Sequence, residues 1–118
     1  MRAKIKSFQS VDIEDLHNFV PENPENFCFL LELMVGPDNQ EGEESFDIQV
    51  CTPLWFLSIL KPNDVILGRH FLIVLEYNFE RIYSKIKQLI EAYSADNWNE
   101  LAEKIARIGY WEFEDYVE

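Results

Sequence analysis

The chain has 118 residues, 47% hydrophobic and 27% charged, which fits one domain over residues 1–118 and excludes a disordered or fibrous chain. Its 22 acidic side chains against 10 basic ones leave a net charge of −12. Nucleic acid and anionic membrane are therefore poor partners, since each phosphate contact needs a cation, and a basic protein is favoured because a negative field steers it into encounter. Solubility alone is the plainer account of the same charge.

The opening MRAKIKSFQS has no apolar run of signal-peptide length, and no stretch approaches a membrane span, so a cytoplasmic protein is expected. Cys28 and Cys51 fit that compartment as reduced thiols, and no metal-ligand spacing accompanies them.

In chain order, Ala3, Ile5 and Ser7 alternate with Arg2, Lys4 and Lys6, which predicts a first strand whose cations answer acids across the sheet. Residues 10–25 predict one or two helical turns docked by Leu16 and Phe19, then an irregular acidic connection with His17 on the surface. A second strand follows over 26–35, with Phe27, Phe29, Leu31, Leu33 and Val35 on one face. Turn residues 36–42 lead to a third strand over 43–51, in which Phe46, Ile48 and Val50 alternate with Asp47, Gln49 and Cys51. A hairpin register in which paired numbers sum to 79 puts Phe29 on Val50, Leu31 on Ile48 and Leu33 on Phe46. The same register sets Cys28 opposite Cys51 on the other face. Sums of 77 or 81 keep the same facing, so parity is firmer than register.

Thr52 and Pro53 supply an N-cap and a first helical residue for a short helix over 53–61. It is apolar nearly all round, which predicts burial, with Trp55 or Phe56 at an interface as the alternative. Residues 64–77 predict a strand covered on both sides and carrying Phe71, Ile73 and Leu75, with Gly68 as a bulge or close approach and Arg69 paired to a carboxylate. Asn78 caps a helix over 79–93, with a Tyr77–Ile82 staple. Asp96 caps a last helix over 98–108, closed by Gly109 as its C′ glycine. Trp111 and Phe113 then predict an extended tail with its aromatic face inward and Glu112 and Glu114 outward.

The search for chemistry finds no nucleophile elbow, phosphate loop, dinucleotide fingerprint or zincin helix. Gly42 fails as the sixth position of a calcium loop, because Pro37 then stands where the first ligand belongs. No enzyme, catalytic residue, metal or cofactor is expected. Two acidic clusters remain: Glu41, Glu43, Glu44 and Asp47 beside the hairpin loop, and Glu112, Glu114, Asp115 and Glu118 in the tail. With Tyr110 and Tyr116 they form the candidate partner-binding residues, since aromatics among acids bury area while carboxylates meet a basic partner. Trp55, Gly68, Arg69, Gly109, Trp111 and Phe113 are assigned structural roles, and Asp47 is equally a counter-charge to Lys4.

The string GEESFDIQVCTP over 42–53 with Trp55, the Gly68-Arg69-His70 entry to Leu72-Ile73-Val74, and RIGYWEFEDY over 107–116 resemble the immunity protein 8 (Imm8) family of bacterial polymorphic toxin systems. That resemblance implies a small cytosolic α+β protein that binds and neutralises a cognate toxin domain delivered by neighbouring or secreting cells. Acidic immunity proteins commonly oppose basic nuclease toxins. The combined expectation is an antiparallel sheet, an N-terminal meander plus a further strand, with two C-terminal helices packed on it. Two rivals stand beside it: an acidic regulatory or adaptor module without a toxin, and a small-molecule or metal-binding domain using Arg69 and His70. Oligomeric state, monomer or homodimer, stays open.

Overall fold

A computed structural model describes residues 1–115, so Tyr116 and Glu118 lie outside the described residues. The order is β1 (Ala3–Gln9), β2 (Cys28–Pro37), β3 (Glu44–Cys51), α1 (Pro53–Ile59), β4 (Phe71–Ile73), α2 (Phe79–Glu91), α3 (Trp98–Ile105) and β5 (Tyr110–Trp111). The α+β expectation is met by five strands, mostly antiparallel, with two helices at the C-terminal end. The sheet runs β1-β2-β3-β4, and β5 also pairs with β3.

The hairpin takes the register summing to 79, with Phe29 on Val50, Leu31 on Ile48 and Leu33 on Phe46. These residues are buried, and Phe79, Ile82, Ile86 and Ile90 of α2 with Leu101, Ala102 and Ile105 of α3 close the core over them. Two strands depart from the expected pattern. A register shift between Ile5 and Ser7 turns Phe8 inward, opposite Leu33. β4 is only three residues long and runs parallel to β3, with Ile73 61% exposed, so it is an uncovered edge and not a strand sealed on both faces.

Caps explain where the helices begin. Thr52 accepts from the Trp55 N–H at 3.3 Å and Asn78 from the Arg81 N–H at 3.1 Å, as the sequence predicts. Asn97 replaces Asp96 as the cap of α3, accepting from the Glu100 N–H at 2.9 Å. That helix ends at Ile105, and Gly109 does not adopt a left-handed backbone. A Cβ there would lie 3.0 Å from Cβ of Phe46, so its role is to let the chain pass close to β3. Gly68 has nothing within 4 Å of an added Cβ, so neither a bulge nor a close approach explains it.

Four further expectations are corrected. Residues 10–25 form turns rather than a helix, although Ile13 and Leu16 dock into the core as buried anchors. No α1 residue is buried, and Leu57 is 75% exposed, because α2 and α3 already cover the inner face of the sheet. Beyond Trp111 the tail turns instead of staying extended. Cys28 and Cys51 are joined as a disulfide rather than free, since the register brings their Cα atoms to 4.2 Å. No helix among the described residues is long and apolar enough to cross a membrane.

Candidate functional site

Pleating puts every second residue of the hairpin on the face turned away from α2 and α3. Two rows cross that outer face. Glu32 of β2, Asp47 of β3 and Tyr110 of β5 stand side by side, and the next row is Leu30, Gln49 and Phe71 of β4. β4 and β5 share one edge of β3 end to end, β5 along Phe46–Asp47 and β4 along Gln49–Cys51.

Arg69 and His70 stitch the seam between them. Both guanidinium N–H groups of Arg69 used here donate to the Glu114 carboxylate, whose side chain is only 15% exposed. His70, at φ 66°, sends its Nε2 to the Ala106 carbonyl at 2.6 Å, and because a carbonyl only accepts, that nitrogen carries the proton. Its ring meets Tyr110 edge-on at 5.8 Å. A cavity of about 340 Å³ opens at this seam, with Asp47, Gln49 and Tyr110 on one side and Arg69, His70 and Phe71 on the other.

Asp47 is the electrostatic oddity of the face. Its Oδ1 is buried with no hydrogen-bond partner among the described residues. Burial raises its pKa above the usual carboxylate value, and the charges of Glu32 and Glu112 push the same way. The expected pairing with Lys4 does not occur: Lys4 stands opposite Gly36, and Glu32 is the cross-strand neighbour of Asp47. Nor does Lys6 answer an acid, since its ammonium donates to the Gln40 carbonyl at 2.6 Å.

The other candidate residues separate into those held by internal hydrogen bonds and those exposed. Glu44 is engaged: its two oxygens accept from the indole N–H groups of Trp98 at 2.6 Å and Trp111 at 2.8 Å. Glu112 accepts from the Ser45 N–H at 2.8 Å, and Glu114 is held by Arg69. Glu41 and Glu43 are exposed in the loop above Trp98, Asp115 is exposed, and Tyr110 is 52% exposed. Trp111 is buried against Phe46, ring centroids 6.3 Å apart, and Phe113 meets Trp111 edge-on at 6.1 Å. Trp55 is half-buried, packed edge-on to Phe56 at 5.1 Å.

Sequence reasoning missed the pairing of Tyr110 with Asp47, and no local signal carries it, because 63 residues separate the two strands' partners along the chain. It also missed an apolar surface: Leu57, Val65, Leu67 and Leu75 are 75–95% exposed, in a segment tied to the sheet through Phe56 on Phe71 at 5.2 Å. No group of three or more His, Cys, Asp or Glu among the described residues could hold a metal ion.

The profile of the immunity protein 8 family matches residues 3–116, nearly the whole chain. The chain belongs to the Imm8 family. Membership makes it an immunity protein of a toxin system, with a toxin as partner. Comparison with curated proteins and with solved structures finds no match. The Gly-Glu-Glu-Ser-Phe string that carried the resemblance has clear physical duties in this Imm8 member. Gly42 takes φ 111°, Glu44 holds two indoles, and Phe46 lies at the centre of the core.

Proposed function

We propose that this Imm8 member acts in the cytoplasm as a non-enzymatic, stoichiometric inhibitor of one cognate toxin domain, a basic protein of nuclease class, which it covers by direct binding. Family membership carries the reading, and the net charge of −12 supports the sign of the partner. A strongly negative surface raises the encounter rate with a basic domain and disfavours other acidic proteins.

The contact surface is assigned to Glu41, Glu43 and Asp115, candidate acids that hold no internal bond among the described residues, together with the exposed ring of Tyr110. Glu112 adds charge beside them while keeping its bond to the Ser45 backbone. Glu44 and Glu114 act by shaping this surface, since both are held by internal partners.

The experiment is co-expression with the toxin domain encoded beside the gene, co-purification, and a growth-protection assay. Recovery of a one-to-one complex and rescue of toxin-expressing cells is the expected result. Replacing Glu41, Glu43 and Asp115 together with Lys should slow association steeply at low salt, an effect that fades as salt screens the field. Absence of a complex with that toxin rejects the reading, whereas an unchanged on-rate in the triple variant rejects these three residues as the contact.

A further inference from the structure

We infer that the cavity at the β4–β5 seam is a receptor for one cationic side chain, arginine or lysine, presented by the bound toxin domain, with Asp47 as its counter-ion and Tyr110 and Phe71 as its walls. The inference rests on the toxin-binding reading and names the chemistry the partner must bring to this site.

The first ground is an acceptor left without a donor. Buried polar atoms in folded proteins are nearly always hydrogen-bonded, because an unpaired one forfeits its hydration without return. Asp47 Oδ1 breaks that rule among the described residues. Asp47 also lines the cavity, so a cation held there would offset the charge that this oxygen carries without a donor.

The second ground is the charge around the cavity. Asp47 stands opposite Glu32 and within the field of Glu112. Arg69 is the cation lining the cavity, and its guanidinium is committed to both oxygens of Glu114. His70 spends its Nε2 proton on the Ala106 carbonyl, which leaves the other ring nitrogen as an acceptor in the neutral ring. With Arg69 paired to Glu114, Asp47 of the lining is left without a cation of its own, and Glu32 and Glu112 add negative charge beside it, which is the opposite of an anion pocket.

The third ground is shape and lining. Phe71 and Tyr110 offer aromatic surface, to which a guanidinium or ammonium is attracted, and Leu30 offers apolar surface for the methylene stem. A volume of about 340 Å³ suits a single long side chain better than a folded element. A metal ion is the poorer occupant, because no cluster of three ligating side chains exists among the described residues. Position agrees as well, since Tyr110 is half exposed on the sheet face that the helices leave open.

The test uses the full chain and its cognate toxin domain. Asp47→Asn keeps the side-chain shape and removes the charge, and the dissociation constant measured by calorimetry should rise about 30-fold or more, as for loss of one member of a desolvated charge pair. Replacing toxin arginines and lysines singly with Met should reveal one position whose loss adds nothing further in the Asp47→Asn background. Wild-type affinity in Asp47→Asn, or no toxin cation coupled to it, overturns the inference while leaving the toxin reading intact. Should wild-type protein bind no toxin, that reading fails, and the cavity is judged alone by NMR titration with N-acetyl-arginine amide and N-acetyl-lysine amide. Saturable shifts at Gln49, His70 and Tyr110 that vanish in Asp47→Asn uphold the cation site; their absence in wild-type protein overturns it.

Discussion

Glu44 and Trp111 are 67 residues apart, yet the indole N–H of Trp111 donates to Glu44 Oε2 at 2.8 Å while Trp98 takes the other oxygen at 2.6 Å. One carboxylate thus ties β5 and α3 to the start of β3. Charge-assisted hydrogen bonds of this kind contribute more than neutral ones, and removing the acceptor leaves two half-buried donors unpaired. Glu44→Ala should destabilise the fold by about 2–3 kcal/mol, read from the urea midpoint. Glu44→Gln, which retains one acceptor, should lose about half as much. Equal midpoints for wild-type and Glu44→Ala would show that the contact adds nothing to stability.

Asp47 gives a prediction of opposite sign. Its pKa in the fold lies above the ordinary 3.8, chiefly through burial and then through Glu32 and Glu112. A carboxyl raised in this way favours the fold when protonated, so its contribution is complete below the unfolded pKa and is lost as pH rises through the folded one. At neutral pH the ionised group is therefore a liability. Asp47→Asn should melt higher than wild type at pH 7, and the gap should narrow as the pH is lowered towards 3.8 and below. A variant that melts lower at pH 7 would contradict this account.

Tyr77 makes stability pH-dependent at the alkaline end. Its hydroxyl donates to the Leu16 carbonyl, and its ring packs edge-on to Phe19 at 5.2 Å. Burial, with the charges of Glu80 and Asp15, pushes its pKa up to about 12. The neutral phenol is favoured by the fold, so this stability is present below the ordinary value of 10.0 and is lost as pH rises through about 12. Tyr77→Phe should cost about 0.5–1.5 kcal/mol at pH 7 through the lost hydrogen bond. It should also flatten the fall in stability above pH 10, as followed by circular dichroism.

Gly36 is the least replaceable glycine. A Cβ there would overlap the Gly42 carbonyl oxygen, which belongs to the backbone of the returning loop and has little room to yield. Gly36→Ala should destabilise by about 3 kcal/mol, the upper part of the range for overpacking, whereas Gly68→Ala meets open space and should be neutral within about 0.5 kcal/mol. Thermal melts of the two variants side by side decide it.

The sequence by itself determined the elements whose signals are local. Alternation set the facing of the 28–51 hairpin, because a slip by one residue would expose Phe46, Ile48 and Val50; the choice of the register summing to 79 over 77 or 81, which share that facing, came from the folded sheet. Side-chain caps at Thr52 and Asn78 were legible because capping is decided within one helical turn. The family strings were legible for a different reason: they record kinship without saying what each residue touches.

Only the tertiary structure decided what depends on distant partners. An apolar run such as 53–59 reads as core in isolation, but α2 and α3 occupy the inner face and no α1 residue is buried. Glu44, Glu114 and Glu41 look alike as acids in sequence; an indole pair, an arginine and open solvent make them different groups. Asp47 acquires its neighbours from β2 and β5, strands whose pairing with β3 is set by burial summed over the whole sheet and not by any pattern within residues 44–51.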